Sequence, residues 1–314
     1  MAYLRRFSSL LVLVLIGLSI GLINPNFFDP LNLSRIATTS AIPLLMALGG
    51  MFVIQMGSID LSIEGVVAIA AVCFALLVGN TLNGNDLGLW VLPLVVLIGA
   101  CAGLVNGLVQ VKLRIPSFMA TLGIGFVGVG LATALLAGNT VRVTDMEIRA
   151  IALQRWLGLP LSVWIALLGL GVAHFISRHT VLGRHALAIG GGEDLARLNG
   201  VDINRVRILV FALAGAFYGA ASILAVAQFG QGHALIAQGQ LFTAITAIVV
   251  GGASLAGGNG SPFGTLIGIL IVVVVSNGMV LMGIPPYVQQ GVQGALIIAA
   301  VALAHDRAKT RVVK

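Results

Sequence analysis

Apolar runs of about 17 residues or more recur along this 314-residue chain, and each is long enough to cross ~30 Å of hydrocarbon as a helix. Only 9% of the residues are charged, against roughly 25% in a soluble domain. The mean hydropathy is +1.08 and 59% of the chain is hydrophobic, which excludes a soluble globular fold. In hydrocarbon every backbone amide needs an internal partner, so the spanning elements are helices. The expected fold is an all-α membrane protein, a polytopic bundle of about ten transmembrane helices forming a single domain over residues 1–314. The runs between polar or Pro/Gly breaks cover 8–24, 36–56, 62–79, 88–110, 117–138, 160–177, 208–229, 240–256, 263–282 and 287–304.

Charge sets their direction. With a cytoplasmic amino terminus, the inner segments hold Arg5, Arg6, Lys112, Arg114, Arg178, Arg184, Arg197, Arg205, Arg207, Arg307, Lys309, Arg311 and Lys314. The outer segments hold Arg35, Arg142, Arg149 and Arg155. Thirteen basic residues inside against four outside follows the positive-inside bias, places both termini in the cytoplasm, and accounts for the net charge of +7 without a nucleic-acid partner. Arg5, Arg6 and the apolar stretch from Leu10 to Ile23 resemble a signal peptide. The following Asn-Pro-Asn-Phe-Phe-Asp-Pro lacks a small-x-small cleavage site, so this stretch is expected to stay as the first helix.

Two polar stretches interrupt the apolar pattern. Residues 139–159, the longest outer loop, are amphipathic and suit a short helix at the interface. Residues 178–207 form a charged helix-and-turn on the inner side, an exposed surface suited to docking by something outside the membrane. Within the spans, Gly99, Gly103 and Gly107 fall every fourth residue, as do Gly215/Gly219 and Gly264/Gly268, each a smooth stripe for close helix contact.

Familiar chemical motifs carry little. Gly123-Ile-Gly-Phe-Val-Gly128 fits a dinucleotide pattern but lies inside an apolar run, without the strand and soluble βαβ unit such a site needs. No G-x-x-x-x-G-K-[ST] loop occurs, so ATP, if it is the energy source, belongs on another polypeptide. Cys73 and Cys101 read as packing residues, and His174 and His233 stand alone, so no metal ligand set and no catalytic residue is assigned. Gly251 to Gly264 reads as a tight turn with Pro262 opening the next helix; a backbone anion nest is the alternative.

Met56-Gly-Ser-Ile-Asp60-Leu-Ser-Ile-Glu64-Gly65 places two carboxylates among apolar neighbours. Asp60 and Glu64, four apart, share a face of any helix containing both. Either Ser58 or Asp60 caps the third helix, or the pair lines a gate or pathway wall; the two readings are compatible. Whether residues 57–65 re-enter the membrane is open. Asn106, Gln110, Thr121, Gln228, Thr243, Thr246 and Asn277 are uncharged hydrogen-bonding groups in or near spans. They suit a neutral polyhydroxylated solute or interhelical bonds.

Several segments together resemble the permease subunits of bacterial ABC importers of the ribose/simple-sugar class. Ser58-Ile-Asp-Leu-Ser62 is similar to the G-I-D-L-S-V-G segment of that family. Asn106-Gly107 followed by Ile115-Pro-Ser-Phe-Met-Ala-Thr-Leu-Gly123 is similar to its N-G and P-x-F-x-x-T-L-G run. Residues 183–200 resemble its cytoplasmic G-R and A-I-G-G-N-x-x-A-A-R-L-x-G element, and Ala244 to Gly264 its glycine-rich pattern. The resemblance covers roughly residues 24–304. It implies a multi-pass subunit of the bacterial inner membrane, translocating a monosaccharide or related polyol. The implied partners are an ABC ATPase that binds ATP and Mg, a second permease copy or homologue, and a periplasmic solute-binding protein. It also implies that Glu193, Asp194, Ala196, Arg197, Leu198 and Gly200 couple the chain to the ATPase, and that Asp60, Glu64, Asn106, Thr121 and Asn277 line the path or gate.

The chain departs from the family pattern in three places. Glu64 replaces a glycine and, with Gly65, is reminiscent of nucleoside-type permeases; Gly192 stands where Asn is usual, and Leu195 replaces an alanine. An ion-coupled secondary transporter, with Asp60 and Glu64 carrying protons, is the reading from a different class.

Overall fold

The computed structural model describes residues 2–304, so the basic residues Arg307, Lys309, Arg311 and Lys314 lie outside the described residues. Each apolar run coincides with a helix. In chain order these are α1 (Ala2–Ile23), α2 (Pro30–Gln55), α3 (Ile63–Leu77), α4 (Val91–Leu113) and α5 (Ser117–Leu135). The short α6 (Met146–Leu153) follows, then α7 (Leu161–His179), α8 (Val181–Gly191), α9 (Glu193–Leu198), α10 (Ile203–Phe229), α11 (Gln240–Val250), α12 (Pro262–Leu281) and α13 (Pro286–Ala304). Six of the described helices are long and apolar enough to cross a membrane, namely α2, α4, α5, α7, α10 and α12. Residues 9–23 of α1, and all of α3 and α11, are shorter apolar helices.

Local chemistry moves some boundaries from those expected. α2 starts at Pro30, six residues earlier than the apolar run, because Asp29 Oδ1 accepts the Leu31 amide and Pro30 needs no amide partner at the first position. α10 reaches back to Ile203 because the Asp202 side chain caps it through the Arg205 amide. α11 stops at Val250, six residues short, where Gly251 and the positive-φ Gly252 turn the chain.

Burial divides the bundle into a centre and a rim. In α2, 83% of the apolar window is buried, whereas α4, α5 and α7 bury 22–28% of theirs. The rim helices turn large apolar side chains outward, among them Phe126 at 71% exposure and Leu168 at 68%. So much exposed apolar surface marks a chain whose surroundings are themselves apolar.

The glycine stripes lie where helices meet backbone to backbone. Gly99 and Gly103 of α4 face Gly215 and Gly219 of α10, and a Cβ on any of them would overlap the opposing main chain. Gly264 and Gly268 of α12 sit on Gly251 and the Ala247 carbonyl of α11 in the same way. Gly125 and Gly128, two of the three glycines in the dinucleotide-like run, lie on Gly65 of α3, so that run serves helix packing.

The 139–159 loop forms α6, whose amino end is capped by Asp145 Oδ1, beside a two-residue ladder of Val141–Arg142 with Gln231–Gly232. Ile148 and Ile151 are buried, while Met146 and Leu153 are exposed. The 19-residue α7 separates this loop from the α8–α9 segment along the chain.

Candidate functional site

Two helices near the centre are broken. The 15 residues of α3 reach about 22 Å and the 11 residues of α11 about 16 Å, both short of the ~30 Å crossed by a full span. α3 is preceded by the non-helical segment 58–62 and α11 by the turn region 233–239. Short helices interrupted by polar, non-helical backbone are where transporters build sites.

Segment 58–62 climbs the side of α5. The Ile59 amide donates to Ser117 Oγ at 3.0 Å, and the Leu61 amide to Thr121 Oγ1 at 2.9 Å, one helical turn higher. The Ser58 amide turns back to the Val53 carbonyl. Side chains thus supply the partners that a regular helix would have given these amides, as buried irregular backbone requires.

Asp60 stands at the centre of this segment and is 4% exposed. Its Oδ1 accepts from Ser62 Oγ at 2.6 Å and from the Ser62 amide at 2.8 Å, and its Oδ2 accepts from the Tyr218 hydroxyl of α10 at 2.9 Å. Asn106 Nδ2 of α4 donates to Ser62 Oγ at 2.7 Å. One carboxyl therefore ties together the α2–α3 connection, α4 and α10. It also borders a cavity of about 180 Å³ whose other walls include Ile54, Ile63, Phe242 and Ile248.

Asp60 precedes α3, so Asp60 and Glu64 do not share a helix face. Ser62 holds the cap position, and neither Ser58 nor Asp60 caps the helix in its place. Half-buried Glu64 turns the other way and accepts the Leu241 amide at 3.1 Å. Glu64 therefore caps the amino end of α11 from a different helix, where the dipole favours an acid. The two broken helices meet at this bond.

Of the other intramembrane candidates, Asn106 and Thr121 join the Asp60 network and Asn277 does not. Asn277 exchanges two amide bonds with Asn32 of α2, at 2.9 and 3.0 Å, which is interhelical packing. Ser62 and Tyr218 escaped the sequence reading. Ser62 lay within the motif already read there; nothing along the chain linked Tyr218 to a residue 158 positions earlier.

Residues 32–301 match the family described as the branched-chain amino acid transport system permease component. The chain belongs to this permease family. It is 33% identical over 304 residues to the ribose import permease protein RbsC of Escherichia coli strain K12, covering 96% of this chain and 94% of that one. It is 32% identical over 314 residues to the L-arabinose transport system permease protein AraH of the same strain, covering 98% and 92%. RbsC of Bacillus subtilis strain 168 is 33% identical over 317 residues, covering 99% and 94%. No solved structure matches.

In the permease, the polar segment folds as α8 and α9, which break at Gly192. The Thr180 side chain caps α8, and Gly200, at φ 82°, closes α9 with amide bonds from Gly200 to the Arg197 carbonyl and from Val201 to the Ala196 carbonyl. The six residues singled out there divide. Ala196 is buried against the bundle. Half-buried Glu193 binds Arg197 at 3.1 Å and Arg207 of α10 at 2.5 Å, a strut within the chain. Asp194, Leu198 and Gly200 face outward, together with Leu195, which the site assignment omitted. Leu195 at 67% exposure and Leu198 at 84% are apolar knobs on an otherwise charged element.

Proposed function

We propose that the permease is the membrane subunit of an ATP-driven, binding-protein-dependent importer that moves a monosaccharide or related polyol into the cell. The observation that carries this is near full-length similarity to relatives named for ribose import and L-arabinose transport. Membership of a family of transport-system permeases favours this over an ion-coupled carrier or an intramembrane enzyme.

On this reading the ten apolar runs cross the inner membrane with both termini in the cytoplasm, and α8–α9 meets an ABC ATPase that binds ATP and Mg. Leu195 and Leu198 enter an apolar cleft of that subunit, with Asp194 at the rim. Glu193 and Arg197 hold the element in shape instead of touching the partner. A second permease copy or homologue completes the membrane unit, and a periplasmic binding protein delivers the solute. ATPase closure shifts α8–α9, and the helices rock between outward and inward openings. Asp60, Asn106 and Thr121 hold the broken α3 beside the path, and Glu64 holds α11 against it. The uncharged hydrogen-bonding groups Asn106 and Thr121 suit a neutral, hydroxyl-rich solute.

The test is purification of the tagged chain from its native membrane in mild detergent. A stoichiometric ATPase, and uptake of ribose or L-arabinose that stops without ATP, is the expected result. A stable chain without an ATPase partner, with uptake abolished by an uncoupler, refutes it.

A further inference from the structure

The glycine-rich turn between α11 and α12 has a role that its sequence did not disclose. Gln55, the last residue of α2, is 1% exposed. Its backbone carbonyl accepts the Gly258 amide at 2.9 Å, and its side-chain Nε2 donates to the Gly260 carbonyl at 2.8 Å. The Gly257 amide bonds the Ser254 carbonyl and the Gly260 amide bonds Asn259 Oδ1, so these two amides serve the turn's own structure.

Gly190 of α8 seats directly on this assembly. A methyl group there would overlap both the Gln55 carbonyl and the Gly258 amide. Gly257 packs on Gly190 and Gly57 equally closely: a methyl group on it would lie 2.8 Å from the Gly190 Cα and from the Gly57 amide nitrogen. Gly57, Gly257 and Gly258 all have positive φ, so the close approach depends on glycine conformations as well as on glycine size. Four segments thus meet main chain on main chain: α8, the end of α2, the turn into 58–62, and the glycine turn. With no flexible side chain between them, a displacement of α8 is passed on and not absorbed by rotamer changes. From this point one path runs through Gly57 into the Asp60 segment and α3. The other runs through the glycine turn into α11 and α12.

We infer that Gly190 and Gln55 are positioning residues, forming a rigid joint through which movement of the α8–α9 element reaches both broken helices. This rests on the importer reading above. The neighbouring Gly191 provides an internal control, because a Cβ there meets nothing within 4 Å.

The experiment uses the assembled importer in proteoliposomes, with Cys73 and Cys101 replaced by Ala and a single cysteine at exposed Gln238, just before α11. Its maleimide labelling rate is measured without nucleotide and after trapping with ATP and vanadate. Trapping should change the rate by about tenfold in the otherwise unsubstituted complex and in Gly191→Ala. In Gly190→Ala the change should vanish while the ATPase stays bound and still hydrolyses ATP. A merely structural role would lower the yield of complex but leave the rate ratio of assembled molecules unmoved.

A full response in Gly190→Ala, an equal loss in Gly191→Ala, or no response in the unsubstituted complex would overturn the joint. If Gly190→Ala does not assemble, Gln55→Ala, which deletes the bond to Gly260, takes its place with the same expectation and the same overturning result. Failure of any ATPase to accompany the unsubstituted chain refutes the importer reading instead.

Discussion

Tyr218→Phe removes one hydroxyl and keeps the ring, so it isolates the bond to Asp60 without opening a cavity. That bond, at 2.9 Å, joins two side chains that are 1% and 4% exposed. Hydrogen bonds to charged groups contribute about 1.5–3 kcal/mol in soluble proteins. Interhelical bonds in a membrane protein average about 0.6 and reach about 1.7 kcal/mol. A buried carboxyl acceptor belongs at the upper end of the membrane range, so the substitution should cost about 1.5 kcal/mol. That is about a tenfold change in the unfolding constant. In an Asp60→Ala background the acceptor is already gone, and Tyr218→Phe should then cost less than about 0.5 kcal/mol or even stabilise, because it deletes an orphaned donor. Reversible unfolding in mixed micelles titrated with sodium dodecyl sulfate gives all four corners of this cycle. An interaction of about 1 kcal/mol is expected. Additivity within about 0.3 kcal/mol would refute the claim that Asp60 and Tyr218 hold α10 to the α2–α3 connection.

Glu193→Arg and Arg207→Glu should each impair uptake, and the double reversal should restore most of it; a double variant as poor as either single one would show that the strut does not matter. Leu198→Asp, at an exposed position, should leave stability within about 0.5 kcal/mol yet lose the ATPase on purification; retained association would remove Leu198 from the contact. Glu64→Gly should leave assembly intact and cost about 1 kcal/mol by uncapping α11, read as faster amide exchange at Leu241. Unchanged exchange there would show that the cap is not used.

What the sequence determined alone was the class of fold, an all-α membrane protein. A run of apolar residues longer than a membrane is thick needs no tertiary information to be a helix, and the glycines at every fourth position already specified which faces meet. The caps at Asp29-Pro30 and Asp202 lie outside the apolar runs, so apolar counting began those helices several residues late. The polar residues behaved differently. Asp60 and Glu64 looked like one pair at helical spacing, but the helix starts at Ile63, so they point to different helices: Asp60 to Tyr218, Glu64 to the start of α11. Asn277 looked like a path residue and is half of an amide pair with Asn32. Within the charged element 193–198, the sequence did not show that Glu193 is held by Arg207 while Leu195 and Leu198 stand outward. Apolar periodicity is a local property, because the surrounding medium acts on each segment separately. A hydrogen bond between residues 158 or 177 positions apart depends on where the helices come to rest, and only the packed structure decides that.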